Sequence, residues 1–494
     1  MKRVRISLTV LFLVICSLVF GFLFYQKDSG MGEKYLKVYA GNFKPYSADP
    51  IDYDQIIHHY IFTSVFSPVI SLYKKNEIDF KLINKAESFD DDKTWVLSVK
   101  NDIKYSNGDP ILPIHIFLNF KRIAFLKKKA KSNSGLMEYL VGLENLKTLD
   151  DNIEGLSYDE KTVTLKFNRP IRNFLDKISF NIYAIAHPTN FNQTDGAWTG
   201  GDIITSAGYM ITKLLMDSGL VELEKINPAA NNIKKIRIYA GAENFNANEN
   251  YDIVIGRSSD LHLSNDYEYL SGPESYVRFV RLKIDKNKNL SDYKVREFLK
   301  KIFYKKMNTI KNLNFVPTTS FFPLKISGVS ENPIPSDNNM IELHNLVIKV
   351  YTAKSILKHP SKKSTLSSYD AIKESLNEFQ SYGVKIEFVE KDEDADISVT
   401  GTGMLIDQPF EDIRFMFNSR HGINLPDPTG KAKLTIEKSN FEVQDVNKLI
   451  WSDSLIWPVE HFSLGYWVNK NSNIDMTHIN LVLPPTDFNY IYLK

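Results

Sequence analysis

The segment from Ala86 to Pro110 constrains the fold most, because it places a strand pattern between two turn signals. A polar run at Asp90–Lys93 comes first, and apolar and polar residues then alternate over Thr94–Lys100. Strict alternation of this kind indicates a half-buried β-strand. The next segment, Ser106–Pro110, joins an Asn-Gly pair that tolerates positive φ to a proline, so it predicts a tight turn.

Strand and helix patterns interleave along the rest of the chain, which predicts the α/β class with mixed sheets. A Pro-, Ser- and Asn-rich stretch from 314 to 345 predicts a loop. Strands are predicted at Leu36–Ala40, Thr162–Phe167, Lys235–Tyr239, Tyr251–Ile255, Val277–Ile284 and Val384–Phe388; helices are predicted at Asp54–Phe66, from Ser291, and from a cap at Ser367 to Gly383.

Length and charge exclude several classes of protein. A chain of 494 residues is long enough for two or three domains with substantial cores. Its 61 basic and 59 acidic residues nearly balance, which gives no sign of a nucleic-acid partner. Cys16 is the only cysteine, so the sequence excludes an intrachain disulfide and any cysteine cluster for metal.

Residues 1–30 are interpreted as a membrane anchor or signal segment. Three cations at positions 2, 3 and 5 precede the uncharged run Ile6–Tyr25. A helix of that length rises about 30 Å, the thickness of a bilayer core. Because the cations stay on the cytoplasmic side, we expect the remainder outside the cytoplasmic membrane, in the periplasm or at the cell surface.

Three fates of this segment remain open. The length of the apolar run favours an uncleaved anchor, whereas Val19-Phe20-Gly21 offers a site for signal cleavage. A lipid-bearing cysteine would need a small residue before it, and Ile15 precedes Cys16.

Several motifs, in their order along the chain, resemble the family 5 extracellular solute-binding proteins, the peptide- and nickel-binding receptors of ATP-binding cassette importers. The resemblance departs from the family pattern at His115, where the family has an acidic residue. The matching segments are Ala86–Pro110, Leu112–Arg122, Leu156–Leu165, Ser206–Ile211, Val221–Pro228, Lys294–Phe298 and Ile372–Phe388.

The resemblance implies a two-lobed, periplasmic-binding-protein-like α/β fold of class II, with mixed sheets and an extra domain. One lobe is discontinuous, because the chain returns to it near the C-terminus. The implied boundaries are 34–60, 170–275 and 458–494 for lobe I, 61–169 for the extra domain II, and 276–457 for lobe III.

The resemblance also implies a function. We expect a monomer that captures a small solute, an oligopeptide or similar, by hinge closure and delivers it to the permease subunits of an importer. No cofactor, nucleic acid or catalysis is expected. The alternative is a membrane-anchored sensory or regulatory binding protein of the same fold; an extracytoplasmic hydrolase is less favoured, since the sequence carries no G-x-S-x-G elbow.

Five residues are candidates for solute contact. Asp407 lies in a remnant of the motif whose aspartate, in peptide-binding relatives, pairs with the ligand's amino terminus; the tryptophan of that motif is missing. Tyr46 follows the first strand, where family members often line the cleft. Tyr46, Tyr209, Trp457 and His461 are weaker candidates than Asp407. Core packing is the alternative for the aromatic residues, and a solvent-facing turn is the alternative for Asp407.

A histidine metal site is not expected. His58 and His59 are adjacent, so in a helix their side chains point about 100° apart and cannot chelate one ion.

Overall fold

The computed structural model describes residues 35–41, 44–52, 56–72, 77–130, 135–171, 174–246, 249–256, 263–334, 343, 346–352, 366–403, 413, 416–417, 425–436, 441–481 and 487–494. The N-terminal segment with Cys16, and the candidate Asp407, lie outside these residues. Within them, no helix combines the length and the apolar character needed to cross a membrane.

Both strands and helices occur in all parts of the described chain. The strands are β1 (Leu36–Tyr39), β2 (Ile83–Phe89), β3 (Thr94–Val99), β4 (Leu156–Tyr158), β5 (Thr162–Lys166), β6 (Tyr209–Leu215), β7 (Leu220–Lys225), β8 (Lys235–Tyr239), β9 (Ile253–Gly256), β10 (Tyr267–Ser271), β11 (Tyr276–Leu282), β12 (Val347–Thr352), β13 (Lys385–Val389), β14 (Ile397–Gly403), β15 (Ile456–Phe462), β16 (Gly465–Asn469), β17 (Ile474–Asp475) and β18 (Tyr492–Leu493). The α-helices are α1 (Ile56–Val65), α2 (Pro113–Lys129), α3 (Phe174–Ile178), α4 (Tyr293–Met307), α5 (Ser368–Asn377), α6 (Lys431–Ile436) and α7 (Val443–Ser452).

A seven-stranded mixed sheet, in the order β10-β16-β9-β1-β8-β7-β6, forms the first lobe. β1 runs parallel to both β8 and β9, and the other pairings are antiparallel. Alternate residues such as Val38, Ile236 and Ile253 point into one core, together with Phe62 and Phe66 from α1 and its end. Phe488 and Ile491 pack in the same core, so residues near the end of the sequence lie in the same lobe as β1.

A five-stranded mixed sheet, in the order β13-β12-β14-β11-β15, forms the second lobe. Its inner strand β11 lies between β14 and β15 and buries Val277, Phe279 and Val280 completely, so both of its faces are covered. Helices α4, α5 and α7 contribute Leu299 and Val446, among others, to the same core.

The extra domain contains a four-stranded antiparallel sheet, in the order β2-β3-β5-β4. The alternation in β3 is confirmed, because Trp95, Leu97 and Val99 are buried. The polar run forms the turn between β2 and β3, where Asp90 and the next two aspartates have φ between 52° and 60°. The predicted second turn is also present, with φ of 92° at Gly108.

The α/β class with mixed sheets is therefore confirmed. The domain boundaries stay a prediction, and β15 runs across the proposed limit at residue 458 because its residues 456–462 pair with β11. The described part of the predicted loop, 314–334, contains no named helix or strand.

Two helix starts test the capping predictions. Ser367 caps α5, since its hydroxyl accepts a hydrogen bond from the Asp370 N–H at 3.2 Å. The start predicted at Ser291 is wrong by one residue: Asp292 is the cap, accepting from the Lys294 N–H at 2.8 Å, and Ser291 ends a short 3-10 turn.

His115 occupies the third position of α2. At this position a glutamate or glutamine side chain commonly accepts a hydrogen bond from the backbone N–H of the N-cap residue. Its Nδ1 accepts a hydrogen bond from the Leu112 N–H at 3.3 Å, which a protonated Nδ1 could not do. Burial lowers the pKa of this imidazole and the nearby His187 lowers it further, while Asp109 raises it. The rings of Tyr105 and His187 lie 5.5 and 6.2 Å away.

We predict that His115 makes the protein less stable as pH falls below the ordinary histidine range. Because its pKa is lowered in the folded state, the unfolded chain takes up more protons, and the free energy of unfolding decreases on acidification. His115→Gln should make the free energy of unfolding less dependent on pH between about 7.5 and 5.5, because glutamine does not titrate in this range. Urea denaturation at several pH values measures this. The exposed His478→Gln is the control and should follow the unmodified chain; equal slopes for all three would refute the prediction.

Candidate functional site

The chain crosses between the two large sheets twice, and the two crossings lie side by side. One crossing joins the end of β10 at Ser271 to the start of β11 at Tyr276, and the other joins Phe462 to Gly465. Ser271 pairs with Gly465 in the first lobe, and Tyr276 pairs with Phe462 in the second. Antiparallel pairs on both sides thus bracket a short two-stranded connection, here called the hinge.

The hinge lies at the carboxyl edge of each sheet. In the first lobe, Gly256 at the end of β9 pairs with Gly465. The next strands, β1 and β8, run in the same direction as β9. In the second lobe, Gly403 at the end of β14 pairs with Tyr276, and β12 and β13 run in the same direction as β14.

Open α/β sheets bind ligands beyond the carboxyl ends of their strands. The region between the two carboxyl edges, with the hinge at its back, is therefore the candidate site and is called the cleft below. The segments that directly follow β9, β12 and β14 lie outside the described residues.

Aromatic rings flank the hinge on both sides. The Tyr276 and Phe462 rings stack with centroids 5.4 Å apart, and Tyr269 and Trp467 lie 5.0 Å apart. The Tyr269 hydroxyl donates to the carbonyl oxygen of Ser463 at 3.4 Å. These rings form an apolar, polarisable surface with few rotatable bonds beside the hinge.

Glycine is required at Gly465 by close packing. A Cβ built there would lie 2.4 Å from the carbonyl oxygen of Leu270 and 2.7 Å from the ring of Tyr269. The close approach of β16 to β10 at the hinge depends on the missing side chain.

A buried ion pair holds the second lobe together next to the hinge. Arg278 Nη1 lies 3.3 Å from Glu460 Oε1, and both side chains are less than a tenth exposed. Arg278 also donates to the Ser368 hydroxyl at 2.5 Å, and its guanidinium lies over the Tyr369 ring at 3.9 Å. The pair connects two neighbouring strands to the start of α5, close to the hinge.

Two of the five candidate residues belong to segments that follow β1 or adjoin the hinge. Tyr46 belongs to the segment after β1, is 49% exposed, and packs edge-on against His58 at 4.5 Å. His461 pairs with Val277, one step from the hinge. Burial lowers the pKa of His461, against a smaller opposite effect of Glu331.

Tyr209 and Trp457 lie in the cores instead. Tyr209 is 1% exposed at the edge of the first sheet opposite the cleft; its hydroxyl donates to the Ile233 carbonyl at 2.8 Å, and the Lys225 ammonium lies 4.5 Å from its ring. Trp457 is fully buried, and its Nε1 donates to the Ser454 carbonyl at 3.0 Å. Their burial assigns both to packing rather than to solute contact.

The sequence reading missed the charged residues beside the cleft. Arg278 and Glu460 each stand as a charge within an apolar strand, in YVRFVRL and IWPVEHF. A charge in a strand that is buried on both faces needs a partner. A charged residue within an apolar strand pattern could therefore have indicated a buried ion pair. The sequence alone could not show which two strands carry the partners.

We predict that Glu460→Gln destabilises the protein by about 3–5 kcal/mol, because the substitution leaves Arg278 buried without its carboxylate. Guanidinium denaturation followed by tryptophan fluorescence measures this. Glu387→Gln is the matched control, since Glu387 pairs with Lys385 at 2.7 Å on an exposed strand; we expect a loss under about 1 kcal/mol there. Equal losses in the two variants would show that burial of the pair contributes nothing.

We also predict that Gly465→Ala lowers stability by about 1–3 kcal/mol, the usual range for overpacking a tight contact. Differential scanning calorimetry measures the effect. Gly201→Ala is the control, because a Cβ at Gly201 meets nothing within 4 Å and its backbone φ is not positive. A Gly465→Ala variant as stable as this control would contradict the close approach of the strands.

Comparison with known proteins agrees with this geometry. The model of the bacterial extracellular solute-binding proteins, family 5 Middle, matches residues 79–376. No curated protein matches the sequence significantly. Among solved structures, OppA of Burkholderia pseudomallei is 15% identical, with 94% of this chain and 99% of that chain covered and a TM-score of 0.72.

Two further structures share the fold. A periplasmic oligopeptide-binding protein of Borrelia burgdorferi is 16% identical, with coverage of 93% and 99% and a TM-score of 0.71. NikA of Staphylococcus aureus, solved in complex with Ni(L-His)2, is 14% identical, with coverage of 93% and 100% and a TM-score of 0.67. At such identities the likeness establishes the two-lobed fold with its extra domain, whereas the family model, which spans more than half of the sequence, establishes the family. The chain belongs to the family 5 bacterial extracellular solute-binding proteins, whose members are extracytoplasmic binding proteins of transporters.

Proposed function

We propose that the chain is a receptor that captures a small solute, such as an oligopeptide, in the cleft and delivers it to an ATP-binding cassette importer. The observation that carries this proposal is the hinge. Two adjacent crossings join the carboxyl edges of two sheets that have separate hydrophobic cores.

Separate cores allow each lobe to move as a rigid body about the hinge. Only residues 272–275 and 463–464 lie between the paired strands of the two lobes, so a few backbone torsions can supply the rotation. A solute that contacts both edges favours the closed state by its differential affinity for that state. Closure removes the solute from water, so a small number of polar groups on an aromatic wall can select it.

An oligopeptide suits the described surfaces. Arg278 and Glu460 neutralise each other, so this pair offers no net charge to an ion. The aromatic rings beside the hinge accommodate apolar side chains of varied shape. We propose that Asp407 supplies the carboxylate for the peptide's amino terminus; in sequence it follows the cleft-edge residue Gly403 by four positions.

The location follows from the N-terminal segment in this proposal. An apolar run preceded by three cations would tether the receptor outside the cytoplasmic membrane, close to a permease. Delivery then needs only lobe opening at the permease, with no long-range diffusion.

The test is mass spectrometry of small molecules released from the full-length protein after mild detergent extraction. We expect short peptides to be released. Asp407→Asn should bind tetra-alanine roughly tenfold more weakly in isothermal titration calorimetry, because the ligand's ammonium loses a charged partner. Asp91→Asn, in the β2–β3 turn of the extra domain, is the control and should leave the dissociation constant unchanged.

Two outcomes would count against transport of peptides. Protein that releases no peptide in repeated preparations, and binds no tetra-alanine, would exclude the peptide proposal. Peptide binding without peptide uptake in membrane vesicles that contain the cognate permease would favour the sensory alternative.

A further inference from the structure

The segment 44–52, here called the rim loop, follows the carboxyl end of β1 and carries Tyr46. Hydrogen bonds within the loop fix its shape. The Ser47 hydroxyl bonds the Asp52 carboxylate at 2.6 Å and accepts from the Asp49 N–H at 3.1 Å, and the Tyr46 hydroxyl donates to the Asp52 carbonyl at 2.9 Å.

At the centre of the rim loop lies a buried charge. Asp49 is 5% exposed, and its Oδ1 accepts from the Ile51 N–H at 3.1 Å. A carboxylate in this position requires a cation, and the cation comes from the extra domain. Arg122 of α2 donates through Nη1 to Asp49 Oδ1 at 3.0 Å and through Nη2 to Oδ2.

Arg122 is itself held on every side. It is 1% exposed, and its Nε donates to the Gly196 carbonyl at 2.7 Å. Its guanidinium lies 4.6 Å from the centre of the Phe191 ring. The guanidinium therefore joins α2 to two other segments. Its Nη atoms bond the rim loop, its Nε bonds the segment around residue 196, and its face lies over an aromatic ring.

The same helix has two more contacts with the first lobe. Lys127 donates to the Ile51 carbonyl at 3.1 Å, again in the rim loop. Asn119 donates to the Ala186 carbonyl at 2.8 Å and accepts from the Ala186 N–H at 3.0 Å. Helix α2 is thus attached to the first lobe along its length, and Arg122 can act as a fixed point.

We propose that Arg122 is a positioning residue for solute binding: through Asp49 it holds the rim loop, and with it Tyr46, at the cleft edge. The extra domain thereby influences the affinity for the solute, although Arg122 itself does not contact the solute. This inference rests on the proposed function, since it gives the rim loop a part in binding the solute.

The chemistry requires arginine at this position. A guanidinium presents a planar fork that matches a carboxylate and still leaves Nε for a third acceptor, which an ammonium does not. When Arg122 is absent, Asp49 is a buried charge without compensation, and the loop can restore its hydration only by moving outward. When Asp49 is also replaced by a neutral residue, the loop no longer contains a buried charge, so it has no reason to move outward.

The experiment compares backbone hydrogen–deuterium exchange in the full-length protein without solute. We expect exchange in residues 44–52 to be roughly tenfold faster in Arg122→Gln, and faster to a smaller degree in Arg122→Lys, because the buried carboxylate is not fully satisfied. The double variant Asp49→Asn/Arg122→Gln should return toward the rate of the unmodified chain. Exchange in β11 and β14 should not change.

Arg296→Gln is the matched control. Arg296 is also buried, at 6% exposed, and donates to backbone carbonyls of Leu290 and Asp453 in the second lobe. Unchanged exchange in the rim loop of Arg122→Gln, or an equal increase in Arg296→Gln, would overturn the proposal. If Arg122→Gln does not fold, the comparison of Arg122→Lys with the double variant decides in the same way.

Tetra-alanine titration separates this inference from the proposed function. Binding that weakens roughly tenfold in Arg122→Gln and recovers in the double variant supports both, because positioning and affinity then change together. If tetra-alanine does not bind the unmodified chain, the peptide proposal fails while the exchange result still decides whether Arg122 positions the loop. Peptide affinity unaffected by a loosened rim loop would refute the link between Arg122 and binding.

Discussion

The antiparallel pairing on both sides of the hinge is the constraint on which the rest of the molecule depends. Ser271 with Gly465 and Tyr276 with Phe462 fix the direction of every strand in the two large sheets relative to the crossings. The carboxyl edges of both sheets therefore meet at one place. A different pairing at either crossing would leave one edge facing solvent and would remove the cleft, although each core could still form.

Two of the described ion pairs are buried on both sides, and each joins segments that are far apart in sequence. Arg278 with Glu460 joins strands to a helix start in the second lobe, and Arg122 with Asp49 joins the extra domain to the first. A buried pair adds little net stability after desolvation, but it accepts only one geometry. Aromatic rings cover each guanidinium. This arrangement holds the joined segments in one fixed geometry.

The sequence predicted local structure well where a single pattern within one segment determines it, such as alternation in a strand or a cap at a helix start. Trp95, Leu97 and Val99 alternate, and the structure buries all three; Ser367 caps the helix that it was expected to cap. The cleft could not be predicted in this way, because it assembles residues such as Tyr46 and Tyr276 from segments far apart in sequence. Tyr209 illustrates the opposite error: the sequence suggested solute contact, but Tyr209 is 1% exposed and its hydroxyl donates to the Ile233 carbonyl, so packing explains it.

The position of β16 also has a consequence for biosynthesis. This strand lies between β9 and β10, yet about two hundred residues separate it from both in the chain. The second lobe, from β11 to β15, is complete before β16 emerges from the ribosome or the export channel. Until β16 is made, the edges of β9 and β10 therefore remain unpaired in the first lobe. Unpaired strand edges can pair with other chains. Synthesis of Gly465–Asn469 thus determines when the open position between β9 and β10 can be filled.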